Sequence, residues 1–305
     1  MQRNHPYPIG TPGSPWGEAE RLAWRDSCTV QRHYADDVLA PISRLDAAFE
    51  AIEYGRLPAD PDRHPQIGLR SRDWDDSRPI ALVTGGVHGY ETSGVLGALR
   101  FADQHAVDYL GRVNLLVVPC VSPWGWETIQ RWNAEAVDPN RSFGNRAAAE
   151  AAALLDWLAP WRERIAMHID LHETTDTDET EFRPALAARD GTAFEPGTIP
   201  DGFYLVDDTE TPCPEFHVAV IEAVSRITHI APADANGELI GSPAVSPGVI
   251  RYPLTSLGLC AGLSPARYRT TTEVYPDSPR TDPEECIAAQ CAAVRAALEH
   301  LLDKP

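Results

Sequence analysis

The stretch from Pro79 to Leu99 constrains the fold more than any other part of this chain. Its first residues, Pro79-Ile80-Ala81-Leu82-Val83-Thr84, form an apolar run that reads as a buried strand. Its last, Thr92-Ser93-Gly94-Val95-Leu96-Gly97-Ala98-Leu99, are small and apolar and read as a closely packed helix. Between them lies Gly85-Gly86-Val87-His88-Gly89-Tyr90-Glu91. A histidine and a carboxylate three residues apart, just past a strand end, can converge on one metal ion. Imidazole and carboxylate both suit zinc, and a catalytic zinc takes three protein ligands beside an open position. The turn therefore predicts a third ligand downstream. The same residues also read as a Gly-rich turn with two incidental polar side chains.

Two more strands follow the first at α/β spacing. Arg112 to Pro119 is apolar and closed by proline, and Ile165 to His172 is a third run. Helical patterns separate the strands, which predicts an α/β fold. The expected architecture is a mixed, largely parallel twisted central sheet with helices on both faces. Further helices are expected over Asp36–Tyr54, Glu91–Tyr109, Ala147–Leu158, Glu215–Ile230 and Pro283–Leu302, with short strands over Phe203–Val206 and Thr270–Tyr275. Leu57 to Arg78 reads as a Pro/Asp/Arg-rich loop, Cys120 to Asn145 as a long irregular stretch, and Thr174 to Phe182 as an acidic loop. Ala231 to Tyr252 is Gly/Pro-rich and expected to wrap the surface. With no internal repeat or low-complexity linker, one catalytic domain over residues 1–305 is expected. Residues 1–75 would be an N-terminal leader and helix packed on a core of residues 76–305.

Composition removes several chemistries. A net charge of −19 argues against nucleic acid as a partner. The only lysine is Lys304, so a P-loop and a Schiff-base lysine are both excluded. The six cysteines contain no Cys-x-x-Cys pair and read as packing residues. No Gly-x-Ser-x-Gly elbow is present. Apolar runs are too short for a membrane span, and the first residues lack a secretory pattern, so a cytoplasmic protein is expected.

A third ligand is available. Strand side chains alternate, so His168, Asp170 and His172 share one face of the third strand. His172 stands at its downstream end, where open α/β sheets place ligands. A lone strand histidine can equally be a hydrogen-bonded structural residue.

At this point the chain resembles the zinc carboxypeptidases. The resemblance is carried by His88-Gly89-Tyr90-Glu91, Val137-Asp138-Pro139-Asn140-Arg141-Ser142-Phe143, Asp170-Leu171-His172 and Thr272-Glu273-Val274-Tyr275, in that order. It is also similar to the related aspartoacylase and succinylglutamate desuccinylase group, towards which Asp170-Leu171-His172-Glu173-Thr174-Thr175 leans. The resemblance implies that His88, Glu91 and His172 hold one Zn²⁺ and that Glu273 is the general base. It implies that Asn140 and Arg141 hold a substrate carboxylate, that Arg131 stabilises the oxyanion, and that Asp138 orients His88. Ser122-Pro123-Trp124-Gly125 departs from the family's Asn-Pro-Asp-Gly turn, and Pro139 replaces a leucine. For the substrate-capping tyrosine, Tyr252 is the leading candidate, with Tyr204 and Tyr268 as rivals.

The resulting expectation is a zinc-dependent metallocarboxypeptidase that hydrolyses C-terminal peptide bonds. An N-acyl amino-acid amidohydrolase is the alternative, and a non-catalytic metal- or peptide-binding protein on the same fold is the third. The partner would be a peptide or N-acyl amino-acid substrate, with neither nucleic acid nor membrane; the sequence leaves the oligomeric state open. Asp176, Asp178, Glu179 and Glu181 could favour basic substrate side chains or simply form a solvated loop.

Overall fold

The computed structural model describes residues 7–303. The first six residues of the expected leader, and Lys304, lie outside them. Helix α1 (Glu18–Ser27), then a π-turn (Ala35–Leu39) continuing into the short α2 (Ala40–Ile42), precede a hairpin of β1 (Phe49–Arg56) and β2 (Pro65–Ser71). There follow β3 (Ile80–Gly85), α3 (Thr92–Arg100), β4 (Asn114–Val118), α4 (Pro123–Thr128), α5 (Ala149–Leu158), β5 (Ile165–Glu173) and α6 (Arg183–Asp190). The remainder holds β6 (Tyr204–Asp208), α7 (Pro214–Val224) and the two-residue strands β7 (Glu238–Leu239) and β8 (Ser242–Pro243). Then come β9 (Val249–Tyr252), β10 (Tyr268–Val274) and α8 (Pro283–Asp303).

Eight strands form one sheet in the order β1-β2-β4-β3-β5-β10-β6-β9. Its centre is parallel: β3 pairs with β4 and β5, and β5 with β10. At the edges β1–β2, β2–β4 and β10–β6 are antiparallel, while β6–β9 is parallel. The expected mixed sheet with helices on both faces is the one formed. Both faces of the central strands are covered, which is why they read as continuous apolar runs. Ala81, Val83, Leu115, Val117, Ile169 and Leu171 pack on one side with Val95 of α3, Phe216 of α7 and Leu298 of α8. Ile80, Leu82, Leu116 and Val118 pack on the other with Leu154 and Leu158 of α5. On that second side β5 turns polar, because its two-residue period brings His168, Asp170 and His172 there together. The small residues of α3 allow contact with the sheet backbone: a Cβ on Gly94 would collide with the Leu171 carbonyl.

Three expected elements are corrected. The helix over Asp36–Tyr54 stops at Ile42, and Phe49–Arg56 is strand β1. Ile52-x-Tyr54 obeys a period of two as well as it does the helical one, and pairing with β2 decides. Strand β2 lies inside the expected Leu57–Arg78 loop. Pro65 and Gly68 disguise it, but Gly68 is there because a Cβ would strike the Trp157 ring. The acidic loop becomes a π-turn (Asp178–Phe182) leading into α6, an element absent from the sequence reading. Among the described residues no helix is long and apolar enough to cross a membrane.

Candidate metal centre

His88 and Glu91 stand in the turn between β3 and α3, and His172 near the carboxyl end of β5. The turn is wedged against α4: the Gly125–Trp126 backbone occupies the place of a Gly89 Cβ, so only glycine fits between the two polar residues. His88, Glu91 and His172 are each about 99% buried, and one ligand atom from each lies within 4.8 Å of the others. His88 Nδ1 is 2.7 Å from Glu91 Oε1, and His172 Nδ1 is 2.8 Å from Glu91 Oε2. The second approach is close in distance but not aligned, and Oε2 is left without a hydrogen bond. Burial pushes the Glu91 pKa up, but the two imidazoles outweigh it and hold the carboxyl down to about 2. The group is thus an ionised, partly unsatisfied carboxylate between two imidazole nitrogens. This donor set fits a divalent ion such as zinc.

The outward nitrogens are fixed by carboxylates. His88 Nε2 is 3.0 Å from Asp138 Oδ1, and His172 Nε2 is 2.7 Å from Asp170 Oδ2. Each imidazole is oriented through Nε2 and presents Nδ1 to the centre, the usual arrangement around a ligating histidine. Behind Asp170 lies a second buried group, His168, Asp170 and Cys260, also close enough to surround an ion. Here Thr84 intervenes. Its hydroxyl donates to Asp170 Oδ1 at 2.6 Å, so at 3.0 Å it accepts from His168 Nε2. Burial lowers the His168 pKa to about 4 and pushes the Cys260 thiol well up, leaving both neutral. This second group is a hydrogen-bond relay through Thr84 that steers Asp170, and through it His172, with His168 Nδ1 left unpartnered.

Through His88 and Glu91 the triad opens onto a cavity of about 660 Å³, lined also by Glu273, Arg131, Asn140, Arg141, Tyr204 and Tyr252. Glu273 is next to His172 in the sheet register, and its Oε2 accepts a 2.8 Å hydrogen bond from Thr174. Burial, opposed by His172 and assisted by Glu91, pushes its pKa up to about 7. Arg131 donates to Asp138 at 3.2 Å and to Tyr90 and Asp178 at 3.3 Å. These neighbours outweigh burial and hold its pKa well above the usual guanidinium value. Asn140 uses its carbonyl oxygen on the Cys260 amide at 2.8 Å, leaving its NH₂ end for binding. Arg141 is exposed at the cavity wall and donates to the Asn140 carbonyl at 3.0 Å.

Of the three tyrosines, Tyr252 and Tyr204 reach the cavity, whereas Tyr268 packs between Phe216 and His300 in the core. The acidic loop is largely spoken for. Asp178 accepts from Tyr90 and Thr175, Glu179 pairs with Arg183, and Asp176 accepts from Tyr275. The sequence reading misses Asp170 as the partner of His172, although the shared strand face signals it. It also misses Thr174 and Arg21 on the cavity wall, and Tyr90 behind it between Arg131 and Asp178, for which no local pattern exists.

No family model matches the chain, and no curated protein matches it in sequence. Solved structures do match. A candidate metallopeptidase of Shewanella amazonensis superposes with a TM-score of 0.66 at 22% identity, over 88% of this chain and 92% of that one. A metallo-carboxypeptidase of Burkholderia cenocepacia gives 0.59 at 16% identity, over 94% and 69%. The carboxypeptidase A of Helicoverpa armigera gives 0.60 at 13%, over 93% and 78%. The fold is zinc-carboxypeptidase-like. At these identities the likeness is one of fold, and the chemistry rests on the side chains.

Proposed function

We propose that this chain is a zinc-dependent metallocarboxypeptidase that hydrolyses C-terminal peptide bonds. The observation that carries the reading is the convergence of His88 Nδ1, Glu91 and His172 Nδ1 beside Glu273 and Arg131, in a cavity that also presents Arg141. Zinc held there supplies Lewis acidity, which acidifies water and polarises a carbonyl. Glu273 takes the proton of the attacking water and passes it to the leaving amine, with Thr174 holding one of its carboxylate oxygens in place. Arg131, anchored through Nε and Nη1 by Asp138 and Asp178, offers its remaining donors to the developing oxyanion. Arg141 forms no ion pair among the described residues; with Nη1 donating to the Asn140 carbonyl, its other donors take the substrate's terminal carboxylate. Asn140 contributes its NH₂, and Tyr252 lines the same cavity.

An N-acyl amino-acid amidohydrolase would use the same residues, and the Thr174–Glu273 contact within Glu173-Thr174-Thr175 favours keeping it as the second reading. Mass-spectrometric product analysis of the zinc-loaded protein on peptides and on N-acetyl and N-succinyl amino acids separates the two. Stepwise loss of C-terminal residues is expected; turnover of the acyl amino acids alone would transfer the assignment to the amidohydrolase.

A further inference from the structure

Five arginines line the cavity: Arg21, Arg131, Arg141, Arg183 and Arg189. Three of them are matched by carboxylates: Arg131 by Asp138 and Asp178, Arg183 by Glu179, and Arg189 by Asp190. Arg141 and Arg21 are not, among the described residues. The carboxylates of the same wall are occupied: Glu173 accepts from the Thr92 and Ser93 amides, and Glu273 from Thr174. In a chain with 45 acidic residues against 26 lysines and arginines, two guanidiniums facing one cavity have no ion pair among the described residues.

Arg21 reaches this wall because α1 is docked by aromatic packing. Trp24, one turn further on, sits 5.8 Å from Trp124 and 5.4 Å from Trp132 between ring centroids. The half-buried Arg21 then donates to the Glu135 carbonyl at 3.0 Å and the Ala136 carbonyl at 3.4 Å. Arg189, stacked 4.5 Å over Trp132, donates to that same Ala136 oxygen at 3.1 Å. Two guanidiniums thus meet at one carbonyl, and of the two only Arg189 has an ion pair, with Asp190. An anion bound there would offset the remaining repulsion and take the spare donors of Arg21.

We propose that Arg21, with Arg189 beside it, forms a second anion subsite, and that the substrate is an amide bearing a carboxylate there besides the one at Arg141. The inference rests on the proposed function for the role of Arg141. A peptide ending in an acidic residue and an N-acylated acidic amino acid share this chemistry. This subsite runs counter to a preference of the acidic loop for basic side chains.

The test is isothermal titration of the zinc-loaded, full-length protein with dicarboxylates from succinate to adipate, each against the monocarboxylate of equal length. At least one dicarboxylate is expected to bind about tenfold or more tightly than its partner, and Arg21→Gln to reduce that ratio to within about twofold. Arg21→Lys should retain most of the ratio. Equal binding of the two series, or an Arg21→Gln ratio like wild type, would overturn the proposal. Equal collapse in Arg21→Lys and Arg21→Gln would make Arg21 a loop anchor only, with the same consequence. These acids contain no bond to cleave, so the result stands apart from whether amides are hydrolysed. Preference for peptides ending in Glu over Gln, or for N-acetylglutamate over N-acetylglutamine, then identifies the source.

Discussion

Glu273 and His172 are register partners on the neighbouring parallel strands β10 and β5. Register partners point to the same side of a sheet, so the carboxylate and the imidazole lie side by side, with the carboxylate lining the cavity. The position of the proposed base is therefore tied to that of the proposed metal ligand by the backbone hydrogen bonds of the sheet. Thr174, just past the end of β5, then fixes the carboxylate itself at 2.8 Å.

Substituting Glu273→Gln keeps the shape and removes the base. The expected result is a fall in kcat of about 10²- to 10⁴-fold with zinc content unchanged. Steady-state kinetics paired with elemental analysis checks it. Loss of zinc in parallel with activity would assign Glu273 to the metal instead.

Asp170 holds His172 Nε2 at 2.7 Å and is itself held by Thr84. Asp170→Asn is expected to weaken zinc binding by about 10- to 100-fold, and Thr84→Val by less. Competition against a chromophoric chelator measures both. Wild-type affinity in Asp170→Asn would sink the orienting role.

Burial, only partly offset by Asn133 at 2.9 Å, pushes the Glu150 carboxyl up from 4.5 to about 7. Between those values the folded chain keeps a proton that the unfolded chain has released, so stability falls as pH rises. Across that window the loss is about 3 kcal/mol, and below pH 4.5 it vanishes. Glu150→Gln keeps an acceptor for Asn133 and removes the titration. Urea unfolding at pH 5 and pH 8 should show the variant gaining on wild type at the higher pH; a constant difference would contradict this.

The turn carrying His88 and Glu91 has no room for a side chain at Gly89, where a Cβ would meet the Gly125 and Trp126 backbone. Backbone on both sides leaves nothing flexible to yield, so Gly89→Ala is expected to cost at least about 3 kcal/mol and most of the zinc affinity. Chemical unfolding with a stability loss under about 1 kcal/mol would show that the turn can open.

What the sequence makes legible here follows from short-range periodicity. The two-residue period of β5 puts Asp170 and His172 on one face, and the apolar run before His88 marks a strand end at the same sheet edge. Strands β1 and β2 are not legible, because Gly68 answers to Trp157, which is 89 residues away. Arg21 meets Glu135 across 114 residues, and Thr84 meets Asp170 across 86. Such partners leave no spacing to read. Only the folded sheet brings them together.

The central claim is that His88, Glu91 and His172 hold the catalytic ion. Anomalous diffraction at the zinc edge, from crystals of the zinc-loaded protein, tests it most directly. The account predicts a single strong peak at coordination distance from His88 Nδ1, Glu91 and His172 Nδ1. A peak among His168, Asp170 and Cys260, or none at the first three, would contradict it.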